Sequence, residues 1–213
     1  MSRSVRPSPP PFKFIGGDLA LDLVNTVDWT EHGPALDRLG DYSRLVAWAE
    51  GGGATRKSEA GMLRRRAALE PSEAARALGY ARRVRAAIQG CASALSQGES
   101  PAAALELLDT FLPRALSHLR LETDRTENPP GVRLGWEGSE ALLDSPLWPV
   151  LWSAVHLFTS PESARVRVCA GESCGWAYVD RSRNGLRRWC QMSTCGTTAK
   201  NRRRGRRARP DAA

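Results

Sequence analysis

Cys169, Cys174, Cys190 and Cys195 form two Cys-x4-Cys pairs of identical spacing, with fifteen residues between them. Four thiolates suit one tetrahedral zinc ion, and a closed all-sulfur shell leaves no position for a reactive water, so the metal is expected to build structure rather than catalyse. Two alternatives stay open: disulfide pairing, for which no secretion-type signal argues, and a site that staples a small subdomain without touching any partner. The fifth cysteine, Cys91, falls in a helical pattern with Val84, Ile88 and Leu95 and is expected in a core.

The cysteines lie in the most basic stretch of the chain. Between Arg165 and Arg209 there are thirteen Lys and Arg against Glu172 and Asp180, a net of +11. The whole chain of 213 residues carries +8, which leaves −3 for the remainder. A near-neutral body with a concentrated cationic end is suited to a polyanion, most simply nucleic acid. The candidate contacts are Arg181, Arg183, Asn184, Arg187, Arg188, Lys200, Arg202, Arg203 and Arg204. Arginine forks match phosphate, while Arg183, Asn184 and Arg187 are placed to meet base edges. Asn184 also suits a tight turn, and Trp189 suits either base stacking or a core plug.

Other chemistry is poorly supplied. His32, His118 and His156 are scattered, and no phosphate-binding glycine loop or nucleophile with a base at a known spacing occurs. A carboxylate nuclease on Asp18 and Asp22 is the weakest alternative, and the expectation is a non-enzyme. No apolar stretch has signal-peptide form, and the most apolar segment, Pro146 to Phe158, is too short to span a bilayer, so a soluble cytoplasmic protein without a membrane partner is expected.

The elements that must position these residues follow from periodicity. Residues 1–11 are proline-rich and basic and are expected as a disordered tail. Helical spacing runs from about Ile15 to Asp28, Tyr42 to Glu50, Ser58 to Leu69, Ser72 to Ser96, Pro101 to Leu119 and Glu140 to Phe158, the last broken at its first turns by Pro146 and Pro149. Val132 to Trp136 reads as a strand, with Phe12 to Ile15 as its partner. Trp176 to Asp180 alternates as a strand would, Asn184-Gly185 predicts a reversal, and Leu186 to Trp189 returns as the second arm. A basic helix is expected from Thr197 to Arg209. The fold class is therefore mainly α, a helical N-terminal domain with a minor β element plus a small C-terminal treble-clef-like zinc finger of β-hairpin and helix.

Val179-Asp180-Arg181-Ser182-Arg183-Asn184-Gly185 and Arg187-Arg188-Trp189-Cys190-Gln191-Met192, ahead of Cys195-Gly196, resemble the CGNR zinc finger. Gly17-Asp18-Leu19-Ala20-Leu21-Asp22-Leu23-Val24-Asn25-Thr26 is similar to the opening of the ABATE domain, which precedes this finger in a family linked to stress-induced transcription. The resemblance implies a helical ABATE-like domain over 12–160, sensing a signal or dimerising, and a finger over 165–209 whose partner is DNA. It also implies a small-molecule effector or a homodimer as further partners, with Asp22, Asn25 and Thr26 as candidate ligand-binding residues. An RNA-binding or ribosome-associated zinc protein and a zinc-stapled protein interaction module are the alternatives. Thr197 and Thr198 stand where the family signature has Asn and Arg, which leaves the four sulfurs intact but removes one cation.

Overall fold

Helix α4 (Pro71–Gln97) is the axis of the molecule, and its sequence explains why. Proline opens its first turn, where a missing N–H costs nothing, and Gly98 ends it in the left-handed conformation at φ 73°. Between those signals Ala74, Ala77, Ala81, Val84, Ile88 and Cys91 recur at helical spacing and are buried. Cys91 is thus a core residue, its thiol pushed up to about 11 by burial.

The computed structural model describes residues 11–124 and 129–207. Against α4 pack α1 (Leu19–Val24), α2 (Tyr42–Gly51), α3 (Lys57–Leu69) and α5 (Ala102–Asp109), while α7 (Trp148–Thr159) packs on α1, and α6 (Leu112–Leu116) lies against α5 and α7. Three antiparallel two-stranded ribbons complete the body: β1 (Val27–Thr30) with β2 (Gly33–Asp37), β3 (Leu119–Asp124) with β4 (Gly131–Trp136), and β5 (Val166–Val168) with β6 (Ala177–Val179). Helix α8 (Thr197–Arg207) follows at the C-terminal end. The expected tail over residues 1–10 and the last two residues of the expected basic helix, 208 and 209, lie outside the described residues.

The mainly helical class holds, and several elements differ from expectation for local reasons. The first helix is shorter than its apolar period: Gly17, at φ 76°, delays its start, and Asp18 caps it by accepting from the Ala20 amide at 2.9 Å. It stops at Asn25, the chain enters β1 at Val27, and Gly33 at φ 114° makes the reversal from β1 into β2. The helix expected over Pro101 to Leu119 divides into α5 and α6, with Pro113 in the first turn of the second. Val132 to Trp136 is a strand, but its partner is β3, adjacent in sequence, with Leu121 opposite Leu134. Phe12 to Ile15 lies elsewhere, leading to Gly16, whose carbonyl accepts from the Val179 amide at 2.8 Å. Residues 145–147 form a single 3-10 turn, and α7 begins only at Trp148, as the two prolines there require.

The last ribbon is not an appendage. Val166, Ala177 and Val179 are buried in the same apolar core as Leu21, Leu23, Ile88 and Leu157. Asn25, 2% exposed, seals this junction: its side-chain amide donates to the Ala177 carbonyl at 2.9 Å and its oxygen accepts from the Ala177 amide at 2.8 Å. One side chain therefore acts as a strand edge for β6. Replacing Asn25 with Ala would leave two buried backbone groups unpaired, and a loss of about 2–4 kcal/mol in unfolding free energy is expected by denaturant titration. A loss below about 0.5 kcal/mol would mean that this pair does not hold the junction.

Candidate metal centre

Each cysteine is placed by a different local device. Cys169 follows the end of β5, and its amide donates to the Trp176 carbonyl at 2.9 Å, closing the first knuckle. Cys174 comes after a turn in which its amide donates to the Gly171 carbonyl at 3.0 Å. Gly171 has no room for a side chain, because a Cβ there would sit 3.0 Å from the Cys174 Cβ and 3.5 Å from the Cys195 Sγ. Cys190 is aimed inward by its own amide, which donates to the Cys169 Sγ at 3.2 Å. Cys195 lies in a single π-helical turn over Met192–Gly196 that leads into α8. Gly196 is buried there, and a Cβ would come 2.3 Å from the Met192 Sδ and 3.1 Å from the Trp189 ring. Trp189 thus plugs the finger beside the cysteines and is half-buried.

The four sulfurs lie within 4.8 Å of one another. Sulfurs about 2.3 Å from a tetrahedral zinc ion are about 3.8 Å apart, and Cys174–Cys190 at 3.7 Å and Cys190–Cys195 at 3.6 Å match that edge. The donor set fits one zinc ion. Hydrogen bonds from Cys174 and Cys190 hold the Cys169 thiol far below its usual range, while the neighbouring Cys169 pushes Cys174 and Cys190 up, so the sulfurs do not all ionise together without a cation. Four thiolates this close oppose one another, and a divalent cation removes the conflict.

The return arm expected at Leu186 to Trp189 is present as a path but not as a strand. Strand β6 pairs with β5 instead, and the loop is shaped by Asp180. That fully buried carboxylate accepts from the Ser182 amide at 2.9 Å, from the Ser182 hydroxyl, and from the Arg187 amide at 3.0 Å. Burial raises its pKa, but these bonds outweigh burial and leave the carboxyl below the usual range. The expected reversal is there, with Gly185 at φ 64° donating to the Ser182 carbonyl at 3.3 Å.

The nine candidate nucleic-acid residues separate into two groups. Arg187 faces inward: its guanidinium lies 4.1 Å over the Tyr178 ring and donates to the carbonyls of Trp189, at 3.0 Å, and Cys190. Arg181 is held by two bonds to Glu162 at 2.7 and 2.8 Å, and Arg202 is paired with Glu172. Arg183, Asn184, Arg188, Lys200, Arg203 and Arg204 are exposed, and none of these cations forms an ion pair among the described residues. Arg188, Lys200, Arg202, Arg203 and Arg204 border one groove of about 1130 Å³ between the first knuckle and α8, with Glu172 as its one acid among the described residues.

Asp22, Asn25 and Thr26 are all buried and all bonded internally. Asp22 accepts from the Gly16 amide at 2.8 Å, Asn25 grips Ala177, and Thr26 donates to the Leu23 carbonyl at 2.6 Å while accepting from Arg85 at 2.8 Å. Arg85 continues to Asp37 through two bonds at 2.8 and 2.9 Å. Sequence alone missed the other half of this junction: Trp176 donates to the Val27 carbonyl at 2.7 Å, and Trp29 lies so close to Gly175 that a Cβ there would be 2.7 Å from its ring. Burial lifts the Asp22 carboxyl from 3.8 to about 6, with the Gly16 and Ile15 amides opposing the shift. Stability owed to its neutral form is complete below about pH 4 and is lost as pH rises through about 6. Relative to the parent, Asp22→Asn should gain up to about 3 kcal/mol between pH 4 and 7.5, since one pKa unit is worth about 1.4 kcal/mol. Denaturant midpoints across that range check it, and a constant difference between the two proteins would refute it.

No helix among the described residues is long and apolar enough to cross a membrane. No curated protein matches the chain. Residues 165–208 match the family model described as the CGNR zinc finger, and residues 17–161, well over half of the chain, match ABATE, described as "Putative stress-induced transcription regulator". Both descriptions are regulatory or structural rather than enzymatic, and the chain belongs to the ABATE family, carrying a CGNR zinc finger at its C-terminal end.

Proposed function

We propose that the protein is a zinc-dependent, DNA-binding transcription regulator that works without catalysis. The observation that carries this reading is the gathering of Arg188, Lys200, Arg203 and Arg204, all exposed, around one groove beside the four-cysteine cluster. Fixed cations along a groove neutralise successive phosphates and release their counterions, which supplies affinity, while Arg183 and Asn184 at the loop tip supply the groups that can meet base edges. Arg181, Arg187 and Arg202 serve the finger's own shape. Asp22, Asn25 and Thr26 act as a joint rather than a pocket, so a change in the helical body reaches the DNA-binding face through the Ala177 clamp.

Selection of genomic fragments by the zinc-loaded full chain, followed by competition between duplex DNA and structured RNA, tests the proposal. An enriched motif with duplex preference is the expected result. A preference for RNA of about tenfold, equivalent to about 1.4 kcal/mol, would transfer the same basic face to an RNA-binding role.

A further inference from the structure

Two large apolar side chains stand out of the finger on its cationic side. Leu186 is 71% exposed and Met192 is 65% exposed, and they border a common cleft with Ile15 and Trp189 beneath them. Single exposed apolar residues are ordinary, but Leu186 lies in the chain between Asn184 at the loop tip and Arg188, and Met192 borders the basic groove together with Arg188. Leu186 is also rigidly mounted. Asp180 ties Ser182 and Arg187 on either side of the tip, and Arg187 is fastened to the carbonyls of Trp189 and Cys190. This leucine, on a braced loop between Arg183 and Arg187-Arg188 in sequence, is left largely uncovered by the described residues. Two side chains are also far short of the about 800 Å² per partner that a stable protein interface buries.

We propose that Leu186, supported by Met192, inserts between base pairs from the minor groove of duplex DNA and kinks it, while Arg183 and Asn184 line the widened groove. The proposal rests on the DNA-binding reading above and adds its mode. Apolar wedges of this kind unstack one step and bend the duplex by about 20–90°, at a cost of a few kcal/mol that is lowest at flexible pyrimidine–purine steps. Bending wraps the flanking phosphates toward Lys200, Arg203 and Arg204 on α8. Shape preference then arises where no base edge is touched.

The test uses the zinc-loaded full chain and short duplexes with a central TA step or a rigid A-tract, dye-labelled at both ends, with 2-aminopurine at the step. Binding should bring the ends closer, raise 2-aminopurine fluorescence and favour the TA duplex by at least about threefold. Leu186→Ala, at an exposed position, should lose all three effects and keep its zinc and its salt dependence. Bound duplexes with unchanged end distance and unchanged 2-aminopurine signal would overturn the wedge while leaving DNA binding intact, and the parent protein alone decides this. Retention of the bend by both Leu186→Ala and Met192→Ala would overturn it equally. Failure of the parent to bind any duplex would instead remove the underlying function.

Discussion

Stripping the metal with a strong chelator, or replacing Cys190 with Ser, is expected to unfold the loop from Ser182 to Cys195 and helix α8 while the helical body stays folded. Structural zinc in a small cysteine site contributes on the order of 10 kcal/mol, and this segment buries little apolar surface of its own. Its cluster of buried groups consists of Cys169, Trp176, Tyr178 and Cys190, two of them members of the four-sulfur cluster. The boundary of the melted region follows from where apolar burial stops. Val166, Ala177 and Val179 are packed in the main core and should keep their hydrogen-exchange protection, whereas the amides of Arg187 and Cys190 should lose theirs. Trypsin should then cut first at Arg183, Arg187 and Arg188. Equal protection of this loop with and without metal would show that the sulfur cluster is not what holds it.

The second large effect concerns charge. A combined Arg188→Ala, Lys200→Ala, Arg203→Ala and Arg204→Ala protein should bind duplex DNA about 10³-fold more weakly at 0.1 M salt, with the magnitude of its logarithmic salt slope reduced by about 3–4. Each lost phosphate contact removes about 0.9 from that slope, so the difference shrinks as salt rises toward 1 M. Arg187→Ala is the informative control. Because its guanidinium is stacked on Tyr178 and bonded inside the loop, its removal should lower the stability of the finger and leave the slope of the folded fraction nearly unchanged. Filter binding across a salt series separates the two behaviours, and an unaltered slope in the fourfold variant would place the phosphates on another face.

The four-cysteine cluster was legible in the sequence because its chemistry is carried by residue type and short spacing. Long helices were legible for a similar reason, as with α4, whose proline, apolar period and terminal glycine all lie within one segment. What sequence could not give is the identity of distant partners. Asn25 reads from the sequence as a ligand-binding candidate inside a helix running on to Asp28, whereas its side chain is taken up by Ala177, 152 positions away, at the point where α1 ends. The cations divide in the same way. Nothing local distinguishes Arg202 from Arg203, yet Glu172, thirty positions earlier, engages one and not the other. Strand pairing failed because helical spacing carries Leu119 to the end of a helix, so that Leu119 to Asp124, the neighbouring segment that pairs with Val132 to Trp136, does not read as a strand and the distant Phe12 to Ile15 takes its place.

Because Val166, Ala177 and Val179 belong to the body's interior, this finger is not a portable cassette. A fragment excised at residue 165 would present raw hydrocarbon where the helices had been and would tend to self-associate even with its ion in place. Grafting the segment onto another scaffold should fail for the same reason, so any recombination that preserves the protein must carry both halves together.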